Sequence, residues 1–514
     1  MPLNVIKPYE KPTGQRLELE CETAIIGSGP AGSILAWRLA HAGVDVMVLE
    51  EGGYFTSDDF HQGELESNSH FYQEKAMRMA LGDMILPIIQ GRILGGSVTV
   101  NEGVVFRTPD EVLERWARDW DLKDHSPAQW KESFDEIDAI VHTEKLTLDR
   151  INTNNRLFLK ACRKLGWAAD TSQRNTKGCE GCGVCTLGCP IGAKQGPVET
   201  FLPMAQGLGA RIAAGCRATR LETDGGRITA VSGDLMDPLA DRPIGQFLVR
   251  ARSFVLSAGP INSAYLLLRS GIHDDGGATG RGLKLHPTAM IQADFETEVR
   301  GYRGDPIGAW CHEFFHHRQP ETGYVLEPIF IHPMMFSMVV PGFGMEHKAR
   351  MKRYNHLAMM ILQVHDDSTG TIREGIGGRP MVRYRLEESD KKRLIHGLQR
   401  GAEIWLEAGA REVWLPYVRP TVVKSSDELS IVGKTGIPSF GTILYSAHPQ
   451  GGVAMGEREE KCAVDSHGRH RQVKNLVVCD AGSFPTSVGV NPMMSVMALA
   501  DRVGRYWAEN HKTL

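Results

Sequence analysis

The sequence predicts an α/β fold, α+β overall, in which a discontinuous Rossmann-like domain is joined to a second domain built on an antiparallel sheet with helices. Two observations support this prediction. A buried strand, a small-residue turn and a helix follow one another at the start of the chain, and the same plan returns in two later segments. The 514 residues also exceed what a single hydrophobic core usually holds, so at least two domains are expected.

The first βαβ unit opens the predicted Rossmann-like domain. An apolar run of strand length, CETAII, leads into the turn GSGPAG, which is followed by the helical pattern SILAWRLAHAG. The run VDVMVLE then forms a second buried strand ending at Glu50. Because a connecting helix returns the chain to the same end of the sheet, we expect these strands to be parallel.

Two later segments repeat the plan, and two others differ from it. RSFVLSAGPINSAYLLLRSG and KNLVVCDAGSFPTSVGVNPMMSVMALADRV each contain a strand, a turn and a helix. The stretch 304–370 is instead rich in Met, Phe, His and Pro, which indicates a separate domain. Charge and apolar spacing over 109–148 predict a helical cap.

The glycine turn carries a dinucleotide signature. Gly27, Gly29 and Gly32 form G-x-G-x-x-G between a predicted strand and a predicted helix. The first glycine permits the tight turn, the second lets the backbone approach a pyrophosphate, and the third allows the helix to pack on the strand. Glu50 is placed to accept hydrogen bonds from an adenosine ribose. The motif does not separate FAD from NAD, and the alternative is a glycine turn without a ligand.

A second glycine block, GRILGGSVTVNEG over 91–103, is too rich in glycine for a strand interior. Close approach of the backbone to a flat ring would explain it. The alternative interpretation is a surface loop.

The bulk composition excludes several classes of function. With 42% hydrophobic and 23% charged residues and a net charge of -4, nothing indicates a nucleic-acid partner. No run approaches the roughly 18 to 20 apolar residues of a membrane span, and the N-terminal sequence lacks the apolar core of a signal peptide. We expect a cytoplasmic protein, or one peripheral to a membrane, that acts on a small molecule.

Six motifs, in order, resemble the glucose-methanol-choline (GMC) oxidoreductase family, and they run through most of the chain. They are IIGSGPAGSILAWRLA, VLEEGG, GRILGGSVTVNEG, VLSAGPINSAYLLLRSGI, HPQGGVAMG and NLVVCDAGSFPTSVGVNPMMSVMALADRV. The resemblance implies FAD as the cofactor and His448 with Asn491 as the catalytic pair. It also implies a set of further cofactor contacts, namely Pro30, Ala31, Gly95, Gly96, Ser97, Asn101, Asp480, Ala481, Asn491, Pro492 and Met493.

The middle of the chain is most similar to the long-chain alcohol oxidase branch of that family, which implies an apolar alcohol as substrate. The Met- and Phe-rich stretch 327–345 agrees, because such side chains line adaptable apolar pockets, although they also fill plain cores. A histidine is the side chain suited to take the hydroxyl proton near neutral pH. We therefore expect His448 to act as base and Asn491 to orient the alcohol while hydride passes to flavin N5. His286 and His467 are expected to be structural.

Four cysteines form a separate motif. Cys179, Cys182, Cys185 and Cys189, followed by proline, have the C-x2-C-x2-C-x3-C-P spacing of bacterial ferredoxins. This spacing predicts a [3Fe-4S] or [4Fe-4S] iron–sulfur cluster that passes electrons to an acceptor protein or quinone. The alternatives are structural zinc, or packed thiols and disulfides.

The electron acceptor decides between related functions. Without a cluster the enzyme would be an alcohol oxidase that releases hydrogen peroxide from dioxygen. Two more functions fit the sequence, namely a redox or electron-transfer flavoprotein and a flavin-dependent lyase or isomerase on the same scaffold.

These motifs divide the chain into six predicted segments. The FAD-binding domain takes 18–108, 201–300 and 441–514, the last of which carries the catalytic pair. A helical cap and linker (109–175), the cysteine segment (176–200) and the substrate-binding domain (301–440) lie between them.

Overall fold

The structure is a computed structural model that describes residues 3–10 and 16–513. Its strands, in chain order, are β1 (Val5–Ile6), β2 (Leu17–Ile26), β3 (Val46–Glu50), β4 (Met79–Leu81), β5 (Ile85–Pro87), β6 (Val104–Val105), β7 (Thr143–Lys145), β8 (Ala169–Thr171), β9 (Gln173–Asn175), β10 (Arg211–Ala214), β11 (Cys216–Asp224), β12 (Arg227–Asp237), β13 (Arg242–Leu256), β14 (Arg281–Leu283), β15 (Thr288–Asp294), β16 (Ala309–Cys311), β17 (Tyr324–Pro328), β18 (Leu357–Val364), β19 (Gly370–Glu374), β20 (Pro380–Arg383), β21 (Glu412–Leu415), β22 (Thr421–Val423), β23 (Leu444–Tyr445) and β24 (Leu476–Val478).

The helices alternate with these strands. They are α1 (Pro30–His41), α2 (Glu64–Phe71), α3 (Asp110–Asp119), α4 (Pro127–Ile140), α5 (Thr153–Lys164), α6 (Phe201–Gly207), α7 (Pro260–Arg269), α8 (Pro333–Val339), α9 (Gly344–Met351), α10 (Glu388–Glu407), α11 (Ser430–Thr435) and α12 (Met493–Asn510). The helices α3 and α4 occupy the stretch predicted to be helical. Within the described ranges no helix is long and apolar enough to cross a bilayer.

The first large sheet has the strand order β1-β10-β3-β2-β13-β12-β11, and β24 also pairs with β13. Its central strands are parallel, as the first βαβ unit predicts. All five residues of β3 and the last four of β2 are buried, which is typical of parallel strands covered on both faces. The helices α1, α6 and α12 pack together on this sheet.

A single long strand, β13, joins two parts of this sheet. Its first half pairs with β12 in an antiparallel hairpin, and its second half pairs in parallel with β2 and β24. The carboxyl ends of β2, β13 and β24 therefore lie side by side. Ligands of open α/β sheets bind at this edge.

The second large sheet is antiparallel, with the order β22-β21-β15-β18-β17-β16-β8 and β23 paired with β15. The helix α10 covers one face at close range. A methyl group at Gly401 would lie 2.3 Å from Ile291 Cδ1, and one at Gly397 would lie 2.4 Å from Leu362 Cδ1. The opposite face is left for a cavity.

This second sheet takes strands from several of the predicted segments. Residues of β8, β15 and β23 come from ranges that the sequence assigned to the linker and to the FAD-binding domain. Pairing across the sheet thus links stretches that are distant in the chain, and the domain bounds given above stay predictions.

Candidate functional site

A cavity of about 900 Å³ lies between the two large sheets. Its walls include the carboxyl ends of β2, β3 and β13 and, from the second sheet, side chains of β15 and β18. The volume is at the upper end of the range of small-molecule sites, roughly 300 to 1,000 Å³. The predicted site residues that line it are Gly27, Gly29, Pro30, Ala31, Glu50, Gly96, Ser97, Asn101, His448, Asp480, Ala481, Asn491, Pro492 and Met493.

Two glycines of the first turn, Gly27 and Gly32, have no room for a side chain. Gly27 has φ +102°, and a methyl group there would lie 2.2 Å from the carbonyl oxygen of Ser257. At Gly32 a methyl group would lie 1.9 Å from the carbonyl oxygen of Gly27. Gly29, the N-cap of α1, has no side-chain cap, and with Pro30 and Ala31 it places the start of the helix at the cavity. This is the arrangement that binds phosphate at a helix N-terminus.

The second glycine block lies directly on the first. Gly96 has φ +61°, and a methyl group there would lie 2.9 Å from Gly29 Cα. The amide of Gly95 donates to Ser28 Oγ at 3.0 Å, and that hydroxyl donates to Glu50 Oε2 at 2.6 Å. The block is therefore part of the cavity wall, and the alternative of a plain surface loop is wrong. Gly95, like Gly32, is absent from the lining and acts through packing.

Two buried carboxyl groups mark the ends of strands β3 and β24. Glu50 accepts hydrogen bonds from Ser28 N, Ser28 Oγ and Gly52 N. Three bonds leave about one of its four lone-pair positions for a ribose hydroxyl. Asp480 accepts from Gly259 N, Ser263 Oγ and Gly482 N, which fixes the turn that follows β24. Burial raises the pKa of both carboxyl groups.

The residues of this cavity fit FAD. The glycine turns form a cradle in which an added Cβ at Gly27, Gly32 or Gly96 would clash with neighbouring backbone, and Glu50 retains an acceptor for the ribose. Near the same end, the buried guanidinium of Arg92 is paired with Asp241 but keeps Nε and Nη2 without partners, as groups awaiting a polar ligand would be.

His448 lies against a second histidine. Its Nδ1 is 3.0 Å from Nδ1 of His286, and the two rings share one hydrogen bond. Burial lowers the pKa of His286 to about 3, and burial together with the His286 ring holds the pKa of His448 well below 6.5. Both rings are neutral at neutral pH, so His448 is available to accept a proton.

The turn that presents His286 is strained and tied down. His286 has φ +49°, which is uncommon outside glycine. The carboxylate of Asp366 accepts hydrogen bonds from Leu285 N at 3.0 Å and from His286 N at 3.2 Å, and the hydroxyl of Tyr384 donates to it at 2.7 Å. These bonds hold the ring that contacts His448.

Asn491 lies beside the second sheet. Its Nδ2 donates to Glu327 Oε2 at 3.2 Å, and Gln363 Nε2 donates to the same oxygen at 3.3 Å. Asn101, from the second glycine block, places its Nδ2 3.2 Å from Met493 Sδ. One cavity thus brings together residues that are almost four hundred positions apart in the chain.

Two buried residues that bond to the site from behind its lining, His286 and Glu327, were missed by the reasoning from sequence. His286 was expected to be structural, yet it bonds to the proposed base. For Glu327 a signal was present, because a carboxyl group stands in the otherwise apolar strand YVLEP. An acid in a buried strand is costly unless it is paired or neutral.

The four cysteines line a second, small cavity together with Arg174, Lys194 and Asp305. All four thiols are free. Across residues 3–10 and 16–513, no three His, Cys, Asp or Glu side chains are placed so that they could hold a metal ion. The space is instead organised by the buried Arg174, which pairs with Asp305 and donates to Cys185 Sγ at 3.3 Å. The geometry gives the iron–sulfur prediction no support.

Comparison with protein families gives two matches to GMC oxidoreductase models, over residues 46–288 and 367–500. An FAD binding domain model matches residues 20–60. Among relatives, an uncharacterized GMC-type oxidoreductase of Mycobacterium tuberculosis is 34% identical over 97% of this chain and 77% of its own length. A long-chain-alcohol oxidase of Arabidopsis thaliana is 29% identical over 94% of this chain, which spans 66% of that relative.

Solved structures show the same fold. Pyridoxine 4-oxidase from Mesorbium loti superposes with a TM-score of 0.72 at 19% identity, over 95% of this chain and 99% of that one. A formate oxidase of Aspergillus oryzae superposes with a TM-score of 0.73 at 14% identity, over 97% and 100%.

Proposed function

The chain belongs to the GMC oxidoreductase family, and from this premise we propose that it oxidises an apolar alcohol to the aldehyde or ketone. In this proposal His448 is the base and Asn491 orients the alcohol. The FAD dependence follows from the FAD binding domain match and from the fit of the cavity. The observation that carries the proposal is that His448, Asn491 and both glycine turns line one cavity.

The two polar side chains would divide the work on the alcohol. His448, held neutral by burial, accepts the hydroxyl proton. Asn491 donates a hydrogen bond to the same oxygen and steadies the charge that develops there. FAD, held by Gly29, Gly96 and Glu50, supplies the hydride acceptor when bound.

The part of the cavity wall that lies near the second sheet favours an apolar substrate. It is formed mainly by aliphatic and methionine side chains, namely Met290, Ile307, Ile329, Ile331, Met335, Met338, Val339 and Ile361. Such a wall gains free energy by covering a hydrocarbon chain. The similarity to long-chain-alcohol oxidases of Arabidopsis thaliana favours the same substrate class.

We propose dioxygen as the electron acceptor, in preference to an iron–sulfur cluster with an acceptor protein or quinone. The relatives named alcohol oxidases favour it, and the thiols of the cysteine segment are not placed to hold a metal. Hydrogen peroxide formed in step with alcohol consumption supports dioxygen. Iron and sulfide at cluster stoichiometry in the purified protein would restore the alternative.

The test is to mix the protein anaerobically with each of a panel of fatty, aromatic and sterol alcohols. The absorbance of the bound FAD then reports whether, and how fast, the alcohol reduces it. In the wild-type protein, apolar alcohols are expected to abolish the absorbance band of oxidised FAD. H448A should retain FAD but react about a hundred- to ten-thousand-fold more slowly, because a positioned base contributes a factor of this size. H467A, which removes a histidine stacked on Tyr506 away from the cavity, serves as the control. Equal rates for H448A and wild type would show that His448 is not the base.

A further inference from the structure

One carboxyl group lies on the face of the second sheet that borders the cavity. Glu327 of β17 pairs with Ile361 of β18, which in turn pairs with Met290 of β15. Both of those partners line the cavity, as does Gln363, two residues along the same face. Glu327 itself is completely buried, at 0% exposure. It is the acid nearest to Asn491 in the hydrogen-bond network of the site.

The hydrogen bonds around Glu327 leave two buried oxygen atoms without a partner. Its Oε2 accepts two amide hydrogen bonds, from Asn491 Nδ2 and from Gln363 Nε2. Its Oε1 is buried without a partner, and so is Oδ1 of Asn491. Both of these atoms are acceptors, so what the network lacks is a hydrogen-bond donor.

Glu327 is neutral in this surrounding. Burial raises the pKa of its carboxyl group to about 8. No lysine, arginine or histidine of the described chain bonds to it. The elements packed against β17 include α5, α10, β16 and β18, and among their titratable groups are Cys162, Cys311, His396 and Arg400; Tyr445 on β23 is a further group that the charge of Glu327 reaches. Of these, Tyr445 is the group whose pKa the Glu327 charge would raise further.

We propose that protonated Glu327 is a positioning residue that holds the Asn491 amide with an N–H toward the alcohol oxygen. A proton on Oε1 makes that oxygen a donor to Asn491 Oδ1, while Nδ2 still donates to Oε2. This pairing would satisfy both unpartnered atoms, and the second N–H of Nδ2 would stay free for the ligand. The inference rests on the proposed function, since it concerns the group that meets the alcohol.

Loss of the proton reverses this arrangement. The carboxylate and Asn491 Oδ1 are then two acceptors side by side, and neither can donate to the other. The carboxylate still accepts from Nδ2, but the amide loses the second bond that fixes its orientation, and orientations with its oxygen toward the alcohol, where it stabilises no negative charge, become populated. The rate of alcohol oxidation should therefore fall as the solution becomes alkaline.

The first experiment compares wild type, E327Q and E327L by anaerobic stopped-flow reduction of bound FAD across neutral and alkaline pH. Wild type is expected to slow with an apparent pKa of about 8. In E327Q the new amide both accepts from Nδ2 and donates to Oδ1, so this variant should keep about a third or more of the neutral rate and lose the alkaline fall. E327L can do neither and should lose about tenfold or more at every pH.

A matched control is E102Q. Glu102 is another acid at the cavity whose pKa burial raises, to about 7, and it has no bond to Asn491. E102Q should keep the alkaline fall. An alkaline fall that disappears in E102Q but persists in E327Q would overturn the proposal, as would a wild-type rate in E327L.

A second measurement is independent of turnover. Because the pKa of Glu327 is raised from 4.5 to about 8, wild type should lose thermal stability relative to E327Q as the pH rises between these values, and the difference should then stay constant. A difference that does not change with pH overturns the inference whatever the activity. Wild-type FAD that no alcohol reduces would instead overturn the proposed function, and the stability curves would still decide the state of Glu327.

Discussion

His448 and His286 show how a pair of neutral rings can fix a proton. If His448 Nε2 is to accept the alcohol proton, its own hydrogen must sit on Nδ1 and be donated to His286 Nδ1. His286 can act as that acceptor because it is fully buried and neutral. The bond between the rings is compatible with this tautomer of His448, and we propose that His286 holds it.

Replacing His286 tests this role. In H286A the Nδ1 partner is lost and water enters, so the pKa of His448 should rise toward 6.5. The acid limb of the rate of FAD reduction should then move to higher pH, and the maximal rate should fall by about tenfold or more, because the favoured tautomer is no longer fixed. H286N offers an amide oxygen and tolerates the positive φ, so part of the rate should return. An unchanged acid limb in H286A would refute the coupling.

At the scale of elements, the contact between the two glycine turns decides cofactor binding. Alanine at position 96 would bring its methyl group 2.9 Å from Gly29 Cα, at a φ of +61°. G96A should therefore push the turns apart and weaken FAD affinity by about tenfold or more, since the backbone could no longer approach the pyrophosphate. The measurement is FAD retained after gel filtration, together with titration of the apoprotein.

The matched control for that change is G43A. Gly43 also has a positive φ, +82°, but a methyl group there meets nothing within 4 Å. It should cost about 1 kcal/mol of stability through backbone strain alone and leave FAD affinity unchanged. If both variants lost FAD equally, strain rather than the contact between the turns would be responsible.

Local patterns predicted the elements that are fixed by short stretches of sequence. The strand ending at Ile26, the turn at Gly27 and the helix over SILAWRLAHAG follow from hydrophobic period and glycine spacing, although the helix begins at Pro30, inside the predicted turn. The pairing of Glu327 with Ile361 follows from no such pattern, because the register of distant strands is set by tertiary packing. The same limit hid His286, whose partner is 162 residues away.

The cysteine segment shows a different limit. The spacing of its cysteines matches a metal-binding motif. Spacing along the chain does not, however, determine how the four thiols are arranged in three dimensions. In the structure the cation of Arg174 and the carboxylate of Asp305 occupy the neighbourhood of Cys185 and Cys179. Burial also raises the pKa of Cys185 to about 11, which keeps a metal-free thiol protonated.

For the molecule as a whole, one continuous core joins the two large sheets. Buried side chains of β3, such as Val48, and of β18, such as Leu362, belong to the same cluster. The cavity lies between these sheets and is walled by both. Occupation of the cavity therefore links the two halves, and cofactor binding should be visible in the unfolding of the entire chain.

This leads to a prediction for thermal unfolding. At a free FAD concentration one hundred times its dissociation constant, the protein should gain about 2.7 kcal/mol over the apoprotein, seen as a rise in Tm in a single transition. The G96A variant should show a smaller rise at the same FAD concentration. Two separate transitions, only one of which moves with FAD, would contradict a shared core.

The long strand β13 has a consequence for engineering this chain. Its antiparallel partner β12 turns into β11 at Gly225 and Gly226, where added methyl groups meet nothing within 4 Å. The other hairpin tip carries Asp241, which is bonded to both Arg92 and Arg217. A fluorescent reporter inserted between the two glycines should therefore leave the cavity intact. The same insertion beside Asp241 should break its ion pairs with Arg92 and Arg217, at the end of the cavity where we expect the adenosine to bind.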